Sequence, residues 1–153
     1  MEHSLAATLW RLAGLAALVC ANGLFVAAEF SIVTVRKTRV DQLIAEGHRG
    51  ARSVRRAVTA PDRYIAATQL GITMASLGLG WLAEPALASI FEPALAFLPA
   101  QLAAATAHSI AVAIAFAIIT AAEIVFGELT PKWIALERPE ATALWLVKPL
   151  EIF

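Results

Sequence analysis

The feature that most limits what this chain can become is a run over residues 12–35 in which Asn22 and Glu29 are the only strongly polar side chains. At 1.5 Å of rise per residue, a helix of that length crosses a hydrocarbon layer of about 30 Å with some tilt. A cleaved leader would want a basic start, a short apolar stretch and a small-residue cut site. Here the start carries Glu2 and Arg11, and the apolar run continues past any such site, so it reads as a span. Two more runs follow, over residues 64–82 and 109–126. The chain is 59% hydrophobic and 16% charged, against about a quarter charged for a soluble domain, and the excess lies in these runs. The fold class is therefore an all-α membrane protein with three transmembrane helices and a cytoplasmic amphipathic juxtamembrane helix over residues 138–153. That last helix mixes Leu144, Trp145, Leu146, Leu150 and Phe153 with Lys148 and Glu151. Cys20, the lone cysteine, sits in the first run as a small apolar residue.

The formal net charge of zero conceals an asymmetry. Residues 36–63 hold eight of the twelve Lys and Arg residues, from Arg36, Lys37 and Arg39 through Arg55, Arg56 and Arg63. Val40, Leu43 and Ile44 recur at helical spacing there, and Gly47 and Gly50 interrupt them, predicting a short helix, a turn and a second helical piece. Pro61 suits the first turn of the next helix, where its missing N–H costs little. Glu84-Pro85 marks the exit of the second span. Residues 86–107 contain Pro93, Pro99 and Glu92 but no Lys or Arg, which predicts a re-entrant or interfacial excursion. Lys132, Arg138 and Lys148 follow the third span. The positive-inside rule then places the N-terminus outside, with the loop over residues 36–63 and the C-terminus in the cytoplasm of a cell-membrane protein. Basic residues in that loop, Arg36, Lys37, Arg39, Arg55 and Arg56, are candidates for contact with membrane lipid or a partner. Basic blocks interleaved with aromatics are missing, so nucleic acid is not an expected partner.

Polar groups inside spans carry the functional signal, because a mid-membrane carboxylate costs at least about 2.5 kcal/mol unless it faces partners, water or an ion. Glu29, Glu123 and Glu128 qualify. Gln69, Thr73, Ser76 and Gly80 share one face of the second span. Taken alone, such a stripe reads first as helix packing and second as ion contact, and the competing reading of Glu29 is a packing carboxylate bonded to hydroxyls or protonated. Pro131 cannot donate to the carbonyl of Gly127, beside the carboxylate of Glu128. A freed carbonyl, a carboxylate and hydroxyls make an all-oxygen set suited to Mg²⁺, whereas zinc or copper would want His or Cys. His108 lies at the outer mouth of the third span, away from that set. The competing reading ends the helix at Pro131, with Lys132 reaching to the interface. No nucleophile–base pair or phosphate loop is visible, so an enzyme is not expected.

Residues 22–30, Asn-Gly-Leu-Phe-Val-Ala-Ala-Glu-Phe, followed by Val35-Arg36-Lys37-Thr38-Arg39, resemble the first helix of the CNNM/CorC transmembrane domain, whose bacterial branch is often called the hemolysin family. Residues 69–80 resemble its second helix, and Gly127-Glu128-Leu129-Thr130-Pro131-Lys132 its GE-x-x-PK signature. The resemblance implies a homodimer, a cytoplasm-facing cavity and Mg²⁺ transport, with export coupled to Na⁺. It implies metal contacts from Thr73, Ser76, the Gly127 carbonyl and Glu128, with Asn22, Glu29, Gln69, Glu123 and Pro131 near the site. Ala28 stands where many relatives carry Ser, and relatives often place Asn at the positions of Ile72, Thr73 or Ser76. Family members usually continue into paired CBS modules and a small C-terminal domain. Those are absent from these 153 residues, so cytoplasmic regulatory domains are expected C-terminal of this chain. The alternative function is a non-transporting membrane anchor or sensor. A pore-forming toxin fits poorly with a topology so strongly fixed by charge.

Overall fold

A computed structural model describes the backbone of residues 2–94 and 100–153, and side chains over 6–83, 109–110, 112–114 and 116–153. Among the described residues every regular element is helical. The order is α1 (Glu2–Thr34), α2 (Lys37–Ala45), α3 (Ala51–Thr59), α4 (Pro61–Ala94), α5 (Ala100–Ala122), a π-helical segment (Glu123–Leu129), α6 (Thr130–Glu137) and α7 (Pro139–Leu150). Three stretches are long and apolar enough to span a membrane: Ala6–Thr34, Pro61–Ala83 and Val112–Glu137. The third reaches well beyond the predicted end near residue 126. Pro131 does not stop the helix, because the chain relaxes into a wider turn upstream and resumes as α6. Likewise α4 continues as helix through Pro85 to Ala94. The excursion predicted for residues 86–107 is helical in backbone up to Ala94 and from Ala100. Its side chains, that of His108, and residues 95–99 lie outside the described residues.

α1 is the central post. Its neighbour α4 runs antiparallel to it, as the stepping of contacts shows. Gly14 meets Leu82, Gly78 meets Leu18, and Gly71 meets Phe25. Small residues let the two backbones approach, the usual device where lipid removes any hydrophobic drive between helices. A Cβ on Gly71 would lie 2.5 Å from the Phe25 ring, so the ring occupies the space a side chain would need. α5, the π segment and α6 form one rod running parallel to α1 and packed against both α1 and α4, with Gly23 against Pro131 and Ser76 bonded to Glu123. Near the N-terminal end of α1, Leu15 and Leu79 pack with Leu18, Leu82 and Ile119. Large side chains such as Trp81, Phe116, Trp133 and Trp145 face outward, as a lipid-solvated surface requires.

The predicted helix–turn–helix over residues 36–63 is present, and its turn has a clear chemistry. Gly47 takes φ +77° and Gly50 φ +91°, both in the left-handed region that favours glycine. His48 N–H donates to Leu43 O (2.9 Å) and Gly47 N–H to Ile44 O (3.1 Å), the Schellman arrangement that closes α2. The folded-back pair buries Val40, Val54 and Ala57 against Ile32 of α1, Val35 just past its end, and Ala143, Val147 and Leu150 of α7. This second core sits beyond the C-terminal end of the first span. α7 is pinned there by Glu151, whose carboxylate accepts from Arg56 Nη2 (2.9 and 3.0 Å), Ser53 Oγ (2.9 Å) and the Tyr64 hydroxyl (2.9 Å). Burial pushes the Glu151 carboxyl up, but donation by Arg56, Tyr64 and Ser53 outweighs it and holds the group below the usual carboxylate range.

Two outcomes are expected. Gly71→Ala should lower stability by about 1–3 kcal/mol through overpacking against Phe25, while Gly80→Ala, with no neighbour within 4 Å, should not. Thermal unfolding in detergent micelles checks both. Because the folded pKa of Glu151 is depressed, its stabilisation is full above the unfolded carboxylate pKa and is lost as pH falls through the folded value. Glu151→Gln should therefore flatten the acid limb of a stability-versus-pH curve.

Candidate functional site

The π-helical segment is where the third span departs from regular geometry, and the sequence says why. Pro131 removes the N–H that would have closed a four-residue turn onto Gly127. The chain adopts five-residue turns instead, Thr130 N–H bonding to Val125 O. Such π segments inside α-helices are frequent at functional sites. The Gly127 carbonyl does receive a partner, from across the helix interface: Asn22 Nδ2 on α1 donates to it at 3.2 Å. Gly127 is buried, and a Cβ there would lie 3.1 Å from Asn22 Nδ2 and 3.6 Å from the Glu123 side chain. A side chain at 127 would therefore require the Asn22 amide to give way by a few tenths of an ångström.

Glu123 opens the π segment, and its Oε1 accepts from Ser76 Oγ of α4 at 2.7 Å. Ser76, Glu123, Gly127 and Asn22 therefore converge from α4, the π segment and α1. Asn22 is 4% exposed, and its Oδ1 has no hydrogen-bond partner among the described residues. A buried amide oxygen without a donor costs about 1–3 kcal/mol and asks for an explanation. Here it belongs to a cluster of a carboxylate, a hydroxyl and a main-chain carbonyl. No group of three or more His, Cys, Asp or Glu side chains lies together among the described residues. The donor set is one carboxylate with neutral oxygens, which fits a hard cation that keeps part of its water shell.

A second polar pair lies further along α1. Glu29 Oε2 accepts from Thr68 Oγ1 at 3.0 Å, and Thr68 is fully buried. The same hydroxyl reaches Ile65 O at 2.8 Å. It has one proton and serves one acceptor at a time. Lys132 Nζ sits 4.5 Å from the ring centre of the adjacent Phe30.

Of the residues anticipated from sequence, Ser76 and Gly127 meet in the cluster, joined by Asn22 and Glu123, which had been placed only nearby. Thr73 is exposed, its hydroxyl returned to Gln69 O at 2.8 Å, and Gln69 and Glu128 are exposed too. On α4 the face turned toward α1 carries Thr68, Gly71, Ala75 and Leu79, one residue round from the stripe of Gln69, Thr73, Ser76 and Gly80. Thr68 was missed; its signal was the small-residue spacing of that neighbouring face. Ala28 is buried, and its carbonyl accepts from Ser31 Oγ at 2.8 Å. Among the basic residues, Arg55 pairs with Asp41, Arg56 with Glu151, and Arg39 with Gln42 and Glu46, while Arg36 and Lys37 are exposed.

The profile of the Cyclin M transmembrane N-terminal domain, CNNM, matches residues 13–153. This chain belongs to the CNNM family. Among its relatives, the UPF0053 protein YhdT of Bacillus subtilis (strain 168) is 43% identical over 136 residues, covering 89% of this chain and 29% of YhdT. The UPF0053 protein YhdP of the same organism is 41% identical over 135 residues, covering 88% and 30%. The UPF0053 protein sll0260 of Synechocystis sp. is 36% identical over 126 residues, covering 82% and 28%. The chain spans less than a third of the length of these CNNM-type relatives.

The Glu29–Thr68 pair gives a test. Thr68→Val conserves volume but leaves a carboxylate oxygen without its donor, and should cost about 1.5–3 kcal/mol. The double variant Thr68→Val/Glu29→Leu should recover most of that loss in the same unfolding measurement. A neutral Thr68→Val would mean that the hydroxyl serves Ile65 alone.

Proposed function

We propose that this chain is the ion-handling transmembrane module of a Mg²⁺ transporter, binding its cargo in the oxygen cluster of the third span. The observation that carries the reading is that Asn22, bonded through Nδ2 to the Gly127 carbonyl, keeps a buried Oδ1 with no partner among the described residues, while Glu123, four residues before Gly127, binds Ser76. Family membership supports it, since the resemblance of the three motifs implies Mg²⁺ as the transported ion. In this reading Glu123 supplies charge, and Ser76, Asn22 and Gly127 supply neutral oxygens. Four protein ligands leave room for water, in keeping with the reluctance of Mg²⁺ to dehydrate.

Gln69, Thr73 and Glu128 are exposed on a single chain within segments read as membrane-embedded. Polar groups there need cover from protein or water. A second copy packed on this face would provide it, and would bring Thr73 and Glu128 toward the ion path; the homodimer is part of the proposal. So are the cytoplasmic placement of α2, α3 and α7, supported by the cations of residues 36–63, and Na⁺-coupled export, which the resemblance alone supports. The proposal is of a transporter, not an enzyme.

Mg²⁺ at about a hundred times its dissociation constant should stabilise the purified protein by about 2.7 kcal/mol. Glu123→Gln should abolish that protection and Glu128→Gln weaken it. Proteoliposomes carrying the protein should pass Mg²⁺ faster than empty vesicles. Protection unchanged in Glu123→Gln would remove that carboxylate from the site. Vesicles no leakier than controls would favour the anchor reading, in which the polar cluster only packs helices.

A further inference from the structure

A groove of about 550 Å³ lies on the outer surface between α1, the rod of the third span, and α7. It is independent of the ion cluster. Its walls are apolar: Leu24 and Ala27 of α1, Phe126 and Ile134 of the rod, and Ala141 and Leu146 of α7. The groove follows the rod from Phe126 to Ile134 toward the membrane face on which α7 lies. At that end stands Arg138, where the chain turns out of helical geometry (φ −132°, ψ 59°) between α6 and α7. Its side chain is exposed, lines the groove, and has no carboxylate partner among the described residues. Trp145, 83% exposed, lines the same mouth.

An apolar channel opening sideways from a membrane span, with one cation and one indole at its interfacial end, matches a single class of molecule. Its tail must be hydrocarbon and its head anionic. Helix-bounded basic pockets at the membrane face bind anionic head groups, and Trp anchors at head-group depth. The groove lining contains no carboxylate to oppose that charge. We infer that this groove is a binding site for an anionic phospholipid, its acyl chain lying along Leu24, Phe126 and Ile134 and its phosphate on Arg138.

The test uses the purified full chain in detergent, offered phosphatidylglycerol, phosphatidylcholine or glycerol phosphate, with retention read by native mass spectrometry. Phosphatidylglycerol should be retained about fivefold over phosphatidylcholine, the preference expected from one Arg near a membrane surface. Glycerol phosphate, lacking a tail, should not be retained. Arg138→Gln should erase the preference between the two lipids, and Ala141→Phe, which fills the groove, should reduce retention of both. A phosphatidylglycerol with a photoreactive tail should label wild-type peptides containing Leu24 or Ile134 above those containing Leu77, on the exposed far face of α4. That last measurement needs no variant to fold. Equal retention of the two lipids by the wild type, an undiminished preference in Arg138→Gln, or labelling spread evenly over the lipid-facing surface would each overturn the assignment. Because none of these readouts involves Mg²⁺, they stand apart from the fate of the ion site.

Discussion

The architecture turns on one donor and one acceptor: the Asn22 amide and the Gly127 carbonyl. Inside a membrane every backbone polar group must be satisfied by protein or by water in a cavity. Pro131 prevents the rod from satisfying Gly127 by a regular turn, and the solution reached is an inter-helix bond. That bond fixes the depth at which α1 and the third span meet, and glycine at 127 eases it, because a Cβ there would lie 3.1 Å from the amide nitrogen. It also leaves the other end of the Asn22 amide buried and without a hydrogen-bond partner among the described residues. A single imino acid thus accounts for the widened turn, the glycine and the polar cluster together.

The two halves of the molecule are held by different physics. Toward the N-terminal end of α1, small residues and leucines bring α1 and α4 into close contact, with apolar surface turned outward to lipid. Beyond the C-terminal end of α1, a conventional core of Val40, Val54, Ala57, Ala143 and Val147 is assembled from short helices, with charged faces outside. The Glu151 cluster ties α7 to α3 and to the first turn of α4, so the second half meets the membrane part through defined hydrogen bonds as well as packing.

What was legible in the sequence follows this division. Length and hydropathy located the three spans, and Gly47, Gly50 and Pro61 marked the turn and restart between the first two, because backbone chemistry at those residues is local. Which face of α4 points inward was not legible. A membrane helix is apolar nearly all round, so periodicity carries little signal about its partner. The stripe of Gln69, Thr73, Ser76 and Gly80 shares a face, yet only Ser76 lies in the cluster, and the buried hydroxyl is that of Thr68, one residue away. For the same reason Glu128 was set at the metal and Glu123 only near it, whereas it is Glu123 that bonds Ser76 and Glu128 that is exposed. Pro131 signalled a freed carbonyl at Gly127, but the wide turn that follows from it changes how far round the rod each side chain points.

That wide turn has a consequence for how the third span tolerates change in length. A π segment accommodates about one more residue than a regular helix covering the same rise, so α5 and α6 are out of phase by roughly 100°, the rotation of one residue. Removing a residue between Glu123 and Leu129 would tighten that turn, although Pro131 would still leave one carbonyl without its regular partner. The same deletion would swing the outward surface of α6, including Trp133, around the axis relative to α5. The length of this segment therefore sets which way the outward surface of α6 points relative to α5.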